Sequence, residues 1–199
     1  EAVLRMAPGV PVIYVLSGPV ESELEKTIVQ AGVENPHVTV LESGLLFANP
    51  YVLRNMAIPL VETRYTLFLF NDIFPHGDDW LLNLYMSAEQ NPDVDIFQPF
   101  IWEADDKPHA AWNSLTIDEM GGEYIVRHGF DQGFKAVKDP AAEMQAGLQC
   151  CFLEDHAFLI RTENLKAPSI LDPGAAYTKE FLDMALSARF TDTVIWSVP

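Results

Sequence analysis

The chain alternates short, continuous apolar runs with segments whose apolar residues recur at helical spacing. Continuous runs rich in branched and aromatic residues are typical of strands whose sheet is covered on both faces, and the intervening spacing is typical of amphipathic helices. The expected strands are residues 10–18, 37–43, 64–70 and 94–103, and the expected helices between them are residues 21–32, 49–63 and 78–92.

Helix-end signals refine these boundaries. Gly32 is expected to end the first helix, because glycine tolerates the backbone conformation that follows a helix. Asn49 followed by Pro50 is a typical helix start, and Pro59 is expected to kink or shorten the same helix. The expected apolar face of the first helix consists of Leu24, Ile28 and Ala31.

After residue 103 the pattern loosens. Residues 104–134 are polar with scattered aromatics, and a hairpin is expected near residues 121–129. A further strand is expected within residues 148–165, then a helix at 178–190 and a closing strand at 193–199.

This order of elements predicts an α/β fold with a mostly parallel central sheet flanked by helices. We expect one domain over residues 1–199, and we interpret the chain as an excised or truncated part of a longer protein because it lacks an initiator methionine. Ligands of such sheets bind beyond the carboxyl ends of the strands. Asp72 comes two residues after the third expected strand, so it is expected at that functional edge.

The composition is that of an acidic globular protein. Hydrophobic residues make up 49% of the chain and charged residues 21%, which is typical of a folded domain. The 12 basic residues and 29 acidic ones give a net charge of -17. Such a surface repels phosphate backbones and anionic lipids, so nucleic-acid binding is not expected. A cation or a local basic patch would have to offset this charge around any phosphorylated ligand.

Neither a membrane span nor a disulfide framework is expected. No window approaches the roughly 18 apolar residues that a spanning helix needs. Cys150 and Cys151 are the only cysteines, and adjacent cysteines rarely bridge each other. A reducing compartment, on the cytoplasmic side of a membrane, is therefore favoured, while the Golgi lumen stays open for a eukaryotic protein.

Asp72 is a candidate metal ligand. Hard divalent cations such as Mg²⁺ and Mn²⁺ prefer oxygen ligands and often take only one or two protein carboxylates, with substrate phosphates completing the shell. A carboxylate at the end of a buried strand suits that chemistry. The competing interpretation is that Asp72 forms a turn or caps the next helix, as aspartate commonly does.

Two further acids are candidates for acid–base chemistry. Glu180 and Asp183 are three residues apart, so they share a side of the expected last helix, and either could act as a general base if it faced a cleft. The ordinary acidity of a helix start explains them equally well. Elsewhere, Gly18 follows the first expected strand and could approach a nucleotide. The histidines have no metal-ligand spacing, and His76 is the one near the candidate edge.

Three sequence blocks stand in a distinctive order. The first, residues 53–84, combines an Arg-Asn in a helix, a strand, an Asp-x-Asp-like end and a Trp-Leu pair. The second, residues 156–165, is a strand ending in Ile-Arg-x-Glu, and the third, residues 171–199, places an acidic helix before a strand that ends in proline. Together the blocks resemble nucleotide-sugar glycosyltransferases of the GT-A fold, in the family 2-like group.

The resemblance implies a Rossmann-like GT-A architecture, a nucleoside-diphosphate-sugar donor, a divalent metal (Mn²⁺ or Mg²⁺) and inversion at the anomeric carbon. The acceptor, whether a glycan, a lipid or a protein, is not specified. By position, Asp72 matches the last acid of the family's Asp-x-Asp motif and would bind the metal. Asn71 lies inside that motif, and Ser17 and Gly18 lie where the family contacts its nucleotide, so these three are candidate donor contacts.

The same resemblance implies roles for the last helix. Glu180 and Asp183 match the first and last acids of the family's Glu-Asp-x-Asp helix, and they are the candidate catalytic residues. The sequence departs from the pattern at two acids, because Phe70 stands at the first acid of Asp-x-Asp and Phe181 at the middle acid of the helix.

Two other hypotheses stand beside a glycosyltransferase. The replaced acids favour a catalytically inactive relative that binds a glycan or a protein partner. A nucleotidyltransferase would share the sheet and the metal chemistry, but the loop after the first strand has no Lys or Arg to hold phosphates, which counts against it.

Overall fold

The computed structural model describes residues 2–18, 22–46, 48–102, 108–110, 114–120, 123–129, 148–150, 153, 156–165, 171–174 and 180–198. Its helices are α1 (Ala2–Met6), α2 (Glu23–Glu34), α3 (Pro50–Ala57), α4 (Trp80–Gln90), α5 (Thr162–Leu165) and α6 (Glu180–Phe190). Its strands are β1 (Val12–Leu16), β2 (Val38–Glu42), β3 (Tyr65–Leu69), β4 (Ile96–Pro99), β5 (Ile101–Trp102), β6 (Pro108–Ala110), β7 (Ser114–Met120), β8 (Glu123–Gly129), β9 (Leu148–Cys150), β10 (Ala157–Arg161) and β11 (Ile195–Val198). In these residues no helix combines the length and the apolar character that crossing a bilayer requires.

In the described part of the chain the central sheet has five strands, in the spatial order β3, β10, β4, β11, β9. β4 and β11 pair in parallel, whereas β10 is antiparallel to both β3 and β4, and β9 is antiparallel to β11. The fold is therefore α/β as expected, but the expectation of a mostly parallel sheet is only partly met, because this sheet is mixed. Local periodicity could not predict the strand directions, because β10, late in the sequence, lies between the early strands β3 and β4.

Three strands of the sheet nevertheless run in one direction. β10 is antiparallel to both of its neighbours, so β3 and β4 point the same way, and β11 is parallel to β4. Their last residues, Leu69, Pro99 and Val198, therefore lie at one edge of the sheet, which we call the carboxyl edge. The backbone N–H of Phe100 donates to the carbonyl of Val198 (2.9 Å), which extends the β4–β11 ladder at this edge.

Helices cover both faces of the sheet. Phe158 and Ile160 of β10 pack in one core cluster, while Leu159 between them packs in another, as the period of two in a strand requires. The cluster on the first face includes, from α3 and α6, Tyr51, Met184 and Ala188. The cluster on the second face includes, from α4, Leu84 and Ala88. The sheet is thus the middle of three layers, which explains why every residue of β10 is buried.

β1 and β2 form a separate two-stranded parallel sheet, connected through α2. α2 runs to Glu34, so the expectation that Gly32 ends it was wrong. Gly32 instead permits a close approach to β2, because a Cβ at this position would lie 2.8 Å from Cγ2 of Val40. Leu24, placed on the apolar face from the sequence, is 67% exposed, and no side chain of α2 is buried. A helix that covers only two strands has little surface to bury.

Three local expectations are confirmed. Asn49 caps α3 by accepting the backbone N–H of Tyr51 (2.7 Å), and Pro50 is the first helical residue. The helix then tightens into a 3-10 turn at Ile58–Leu60, which contains Pro59, so the proline shortens α3 as expected. The hairpin expected near residues 121–129 is formed by β8 pairing antiparallel with β7.

Candidate functional site at the carboxyl edge

The ends of β3, β4 and β11 and the start of β10 lie together at the carboxyl edge. Because β10 runs the opposite way, the residue before it, His156, lies beside the end of β3. The backbone N–H of Phe70 donates to the carbonyl of His156 (2.8 Å), and their rings lie 5.2 Å apart between centroids. The site therefore begins where β3 leaves the sheet.

Asp72 lies in the turn that ends β3. The backbone N–H of Ile73 donates to the carbonyl of Phe70 (3.3 Å), which closes the turn around Asn71 and Asp72. Both side chains are exposed, and neither hydrogen-bonds to another described residue. The turn interpretation of Asp72 is thus realised, and its carboxylate is also accessible at the edge where a ligand would bind.

Phe70, at the position where the sequence resemblance implies an acid, packs in an aromatic cluster. The guanidinium carbon of Arg54 in α3 lies 4.9 Å from the centroid of the Phe70 ring. The same guanidinium lies 5.2 to 5.5 Å from the ring centroids of Tyr51, Phe68 and Phe158. These cation–π contacts fasten α3 to the end of β3 and to β10, so Phe70 has a packing role that an aspartate would not fill in the same way.

Asp183 lies in the first turns of α6, the helix that precedes β11. α6 ends next to the amino end of β11, where the N–H of Thr193 donates to the carbonyl of Ala188 (2.9 Å). A helix of 11 residues is about 16 Å long, and its Met184 and Ala188 pack in the core cluster on the first face of the sheet. Glu180 is the first residue of α6, and its side chain lies outside the described set.

The carboxyl group of Asp183 is in an unfavourable environment for charge. Its Oδ2 atom is buried and finds no hydrogen-bond partner among the described residues. Burial raises the pKa of Asp183 above its usual value of 3.8, and the negative charge of Asp172 raises it further. Many general bases are half-buried acids with a raised pKa, and some purely structural acids share this property.

Asp172 was not singled out as a site residue from the sequence. It lies in a short loop whose position is held by α3, because the side-chain amide of Asn55 donates to the carbonyl of Leu171 (2.9 Å). The Oδ1 atom of Asp172 accepts the backbone N–H of Gly174 (2.8 Å), a turn that the Asp-Pro-Gly sequence indicates. Turn chemistry could have located this loop, but only the packing of Leu171 in the core beside Met184 brings the second carboxylate toward Asp183.

Ser17 and Gly18 lie at the carboxyl end of β1, in the smaller sheet. Ser17 is exposed, and Gly18 is buried with a φ of 83°, a conformation that favours glycine. The carbonyl of Leu16 accepts the N–H of Ser43 (3.0 Å), which ties this loop to the end of β2. Ser17 and Gly18 thus follow a strand of the smaller sheet, whereas Asn71, the third predicted donor contact, follows a strand of the central sheet.

The described residues contain no group of three or more His, Cys, Asp or Glu side chains that could hold a metal ion. Asp72 offers one exposed carboxylate, with the exposed amide of Asn71 beside it. This donor set does not form a cage of protein ligands. It fits an ion that takes one carboxylate and completes its shell with substrate phosphates and water.

The fold is similar to that of a known transferase. The structure of GalNAc-T7 with UDP, GalNAc and Mn²⁺ superposes on this chain with a TM-score of 0.66 and 12% sequence identity. The match covers 100% of this chain and 38% of the GalNAc-T7 chain, so the chain spans well under half the length of that protein. No protein-family model and no curated protein sequence matches the chain. The likeness therefore shows a glycosyltransferase-like, GT-A-type fold.

Proposed function

We propose that this protein is a glycosyltransferase that transfers a sugar from a nucleoside-diphosphate sugar to a hydroxyl group of an acceptor. The observation that carries the proposal is the carboxyl edge itself. The accessible carboxylate of Asp72 follows one strand of this edge, and Asp183 lies in the first turns of the helix that precedes β11, in a fold similar to that of GalNAc-T7. The family 2-like blocks of the sequence support the same assignment.

Asp72 is the proposed ligand of a divalent ion, Mn²⁺ or Mg²⁺, which would supply positive charge to the departing nucleoside diphosphate. Asn71 lies beside it as a further oxygen donor or donor-sugar contact. Ser17 and Gly18 are proposed to border the nucleotide from the smaller sheet. An ion at this position would also offset the charge of -17 that otherwise repels a diphosphate.

Asp183 is the proposed general base. Its carboxylate would take the proton of the acceptor hydroxyl while the hydroxyl oxygen attacks the anomeric carbon and the bond to the diphosphate breaks. Attack from the side opposite the leaving group inverts the anomeric configuration. The raised pKa of Asp183 favours this role, because a base works best when its pKa approaches the working pH. Glu180, one turn earlier in α6, is proposed as an acceptor contact.

Titration calorimetry with UDP-GalNAc and other nucleoside-diphosphate sugars, with Mn²⁺ or with EDTA, tests donor binding. We expect binding that requires the metal and that Asp72→Asn weakens at least about tenfold, as loss of a metal contact does. Asp78→Asn, an exposed acid of the same loop, is the matched control and should bind like the wild type. Equal binding by Asp72→Asn and wild type, or no metal-dependent binding of any donor, would contradict the proposal.

Turnover tests the catalytic step separately. Asp183→Asn should keep donor binding but lower kcat by about 10²- to 10⁴-fold, the usual contribution of a general base. The anomeric proton of the product, observed by NMR, should show inverted configuration. Retained configuration would exclude Asp183 as the base of an inverting reaction, while leaving the donor site of Asp72 intact.

A non-catalytic homologue that binds a glycan or a protein partner is the second candidate. The observation that favours it concerns Phe70, which stands where the resembled family has an acid. Its ring packs against the guanidinium of Arg54 and the ring of His156. In that case donor sugars would bind weakly or not at all, and a glycan would bind without any metal. Metal-dependent turnover that Asp72→Asn abolishes would exclude this candidate.

A further inference from the structure

Phe74 lies on the loop that follows Asp72, and it is the most exposed large hydrophobic side chain in the described part of the chain, at 85%. The preceding residue, Ile73, turns inward and packs against the cluster of Ile101 and Ala157. The turn that Ile73 closes on Phe70 anchors the backbone immediately before Phe74. The ring is therefore held out into solvent from a fixed point at the carboxyl edge.

The loop beyond Phe74 is also restrained. Pro75 has a fixed φ angle, and Gly77 takes a φ of 78°, the left-handed conformation that turns the chain toward α4. A ring presented from a restrained loop loses little conformational freedom on binding, which favours affinity.

Single exposed hydrophobic side chains are ordinary on protein surfaces and need no explanation. Phe74 differs in its surroundings, because it is two residues from Asp72, and the side chains of Asn71, Asp72 and His76 are also exposed. This short segment thus combines one apolar ring with carboxylate, amide and imidazole groups. Such a combination suits a ligand that has an apolar face and a polar rim.

We propose that the ring of Phe74 stacks against the apolar C–H face of a pyranose ring bound at the carboxyl edge. A pyranose has one face made largely of C–H groups and a rim of hydroxyls, so the aromatic ring would contact the face while polar groups of residues 71–76 bind the hydroxyls. An alkyl chain would instead bury those polar groups without partners. The inference rests on the proposed function and assigns the residue that holds the sugar in that site.

Saturation-transfer NMR on the purified protein tests this contact. The probes are UDP, UDP-GalNAc and the methyl glycosides of GalNAc, galactose and glucose, each with Mn²⁺. In the wild type we expect transfer to the ring C–H protons of at least one sugar. Phe74→Ala should raise the dissociation constant of that sugar about tenfold, the loss expected for one aromatic contact, whereas Phe74→Trp should retain binding. Leu24→Ala, at a side chain 67% exposed on α2, is the matched control and should change nothing.

The probes distinguish the source of the sugar. If Phe74→Ala weakens the binding of UDP-GalNAc but not that of UDP, the ring contacts the donor sugar. If it weakens the binding of a methyl glycoside, the ring contacts the acceptor. Either result supports the proposal. It is overturned if no sugar shows ring-proton transfer that Phe74→Ala reduces. Failure of the proposed function looks different, because UDP would then not bind with Mn²⁺, while a glycoside held by Phe74 still would.

Discussion

Phe70 illustrates how one residue can depart from a motif and still be explained by the fold. The centroid of its ring lies 4.9 Å from the guanidinium carbon of Arg54 and 5.2 Å from the centroid of the His156 ring. It therefore joins α3, β3 and the start of β10 at the point where the proposed donor would bind. Among the described residues of this turn, Asp72 is the one accessible acid, so a metal bound there as proposed would depend on its carboxylate.

Asp183→Asn should stabilise the protein at neutral pH. The folded state raises the pKa of Asp183, so between the usual value of 3.8 and the raised value the folded wild type binds a proton that the unfolded chain has released. Stability of the wild type therefore falls as pH rises through that range, and the neutral amide avoids this loss. We expect Tm at pH 7 to rise by roughly 1–3 °C. Thermal unfolding followed by circular dichroism checks it.

The pH dependence distinguishes this explanation from a change in packing. Below pH 3.8 the wild-type carboxyl is neutral in both states, so the difference in Tm between the two proteins should disappear. Asp72→Asn, at an exposed side chain, is the control and should leave Tm unchanged at both pH values. A Tm advantage of Asp183→Asn that persists at low pH would be inconsistent with a desolvated charge.

Among the elements, β10 and α4 are joined by one buried arginine. Arg161, 8% exposed, donates from Nε to the carbonyl of Val94 and from one terminal nitrogen to the carbonyls of Ala88 and Asn91. Its other terminal nitrogen donates to the hydroxyl of Tyr65 (3.0 Å). The cation thus binds carbonyls at the carboxyl end of α4, where the helix dipole favours positive charge.

Arg161→Ala should lower the free energy of unfolding by about 3 kcal/mol, because it removes a buried cation that donates hydrogen bonds to three backbone carbonyls and to the hydroxyl of Tyr65. Urea denaturation checks the loss. Arg64→Ala is the matched control, since Arg64 is an exposed arginine that pairs with Glu89 at 2.8 Å, and surface pairs contribute at most about 1 kcal/mol. A similar loss of unfolding free energy in the two variants would show that the buried hydrogen bonds of Arg161 stabilise the protein no more than a surface ion pair does.

At the scale of the whole molecule, helices cover both faces of the mixed sheet. The chain also carries a strongly negative net charge. The core clusters on the two faces of the sheet draw on α3 and α6 on one side and on α4 on the other. Surface ion pairs join Lys26 to Glu23 and Arg64 to Glu89. With a net charge of -17, mutual repulsion of acidic groups opposes the compact state.

Salt should therefore stabilise the protein. Raising NaCl from low concentration to about 0.5 M shortens the range of charge repulsion to a few ångströms, so Tm should rise by several degrees. Differential scanning calorimetry at neutral pH checks this, with the same series at pH 4.4, the calculated isoelectric point, as the control. Near that pH the net charge is small, and NaCl should have little effect. A Tm that falls with salt at neutral pH would contradict the dominance of repulsion.

The candidate site was predictable from the sequence where local chemistry defines it. Asp72 is at a strand end because a continuous apolar run stops there, and the Asn-Pro start of α3 and the effect of Pro59 follow from backbone geometry. Leu24 was assigned wrongly because the periodicity of α2 does not reveal how little sheet it covers, and Gly32 because it serves a close approach to Val40 and not the end of the helix. Asp172 was missed because its proximity to Asp183 arises from two segments that meet only in the folded chain.

By itself, then, the amino-acid sequence determined the main strands and helices between residues 10 and 102, the α/β class and the position of Asp72 after β3, because these depend on residues close together in the chain. The tertiary structure decided the order and direction of the strands, the cluster of Arg54 with Phe70, and the desolvation of Asp183. Those properties depend on pairings between distant segments, such as the insertion of β10 between β3 and β4, and local periodicity carries no information about which distant strands pair.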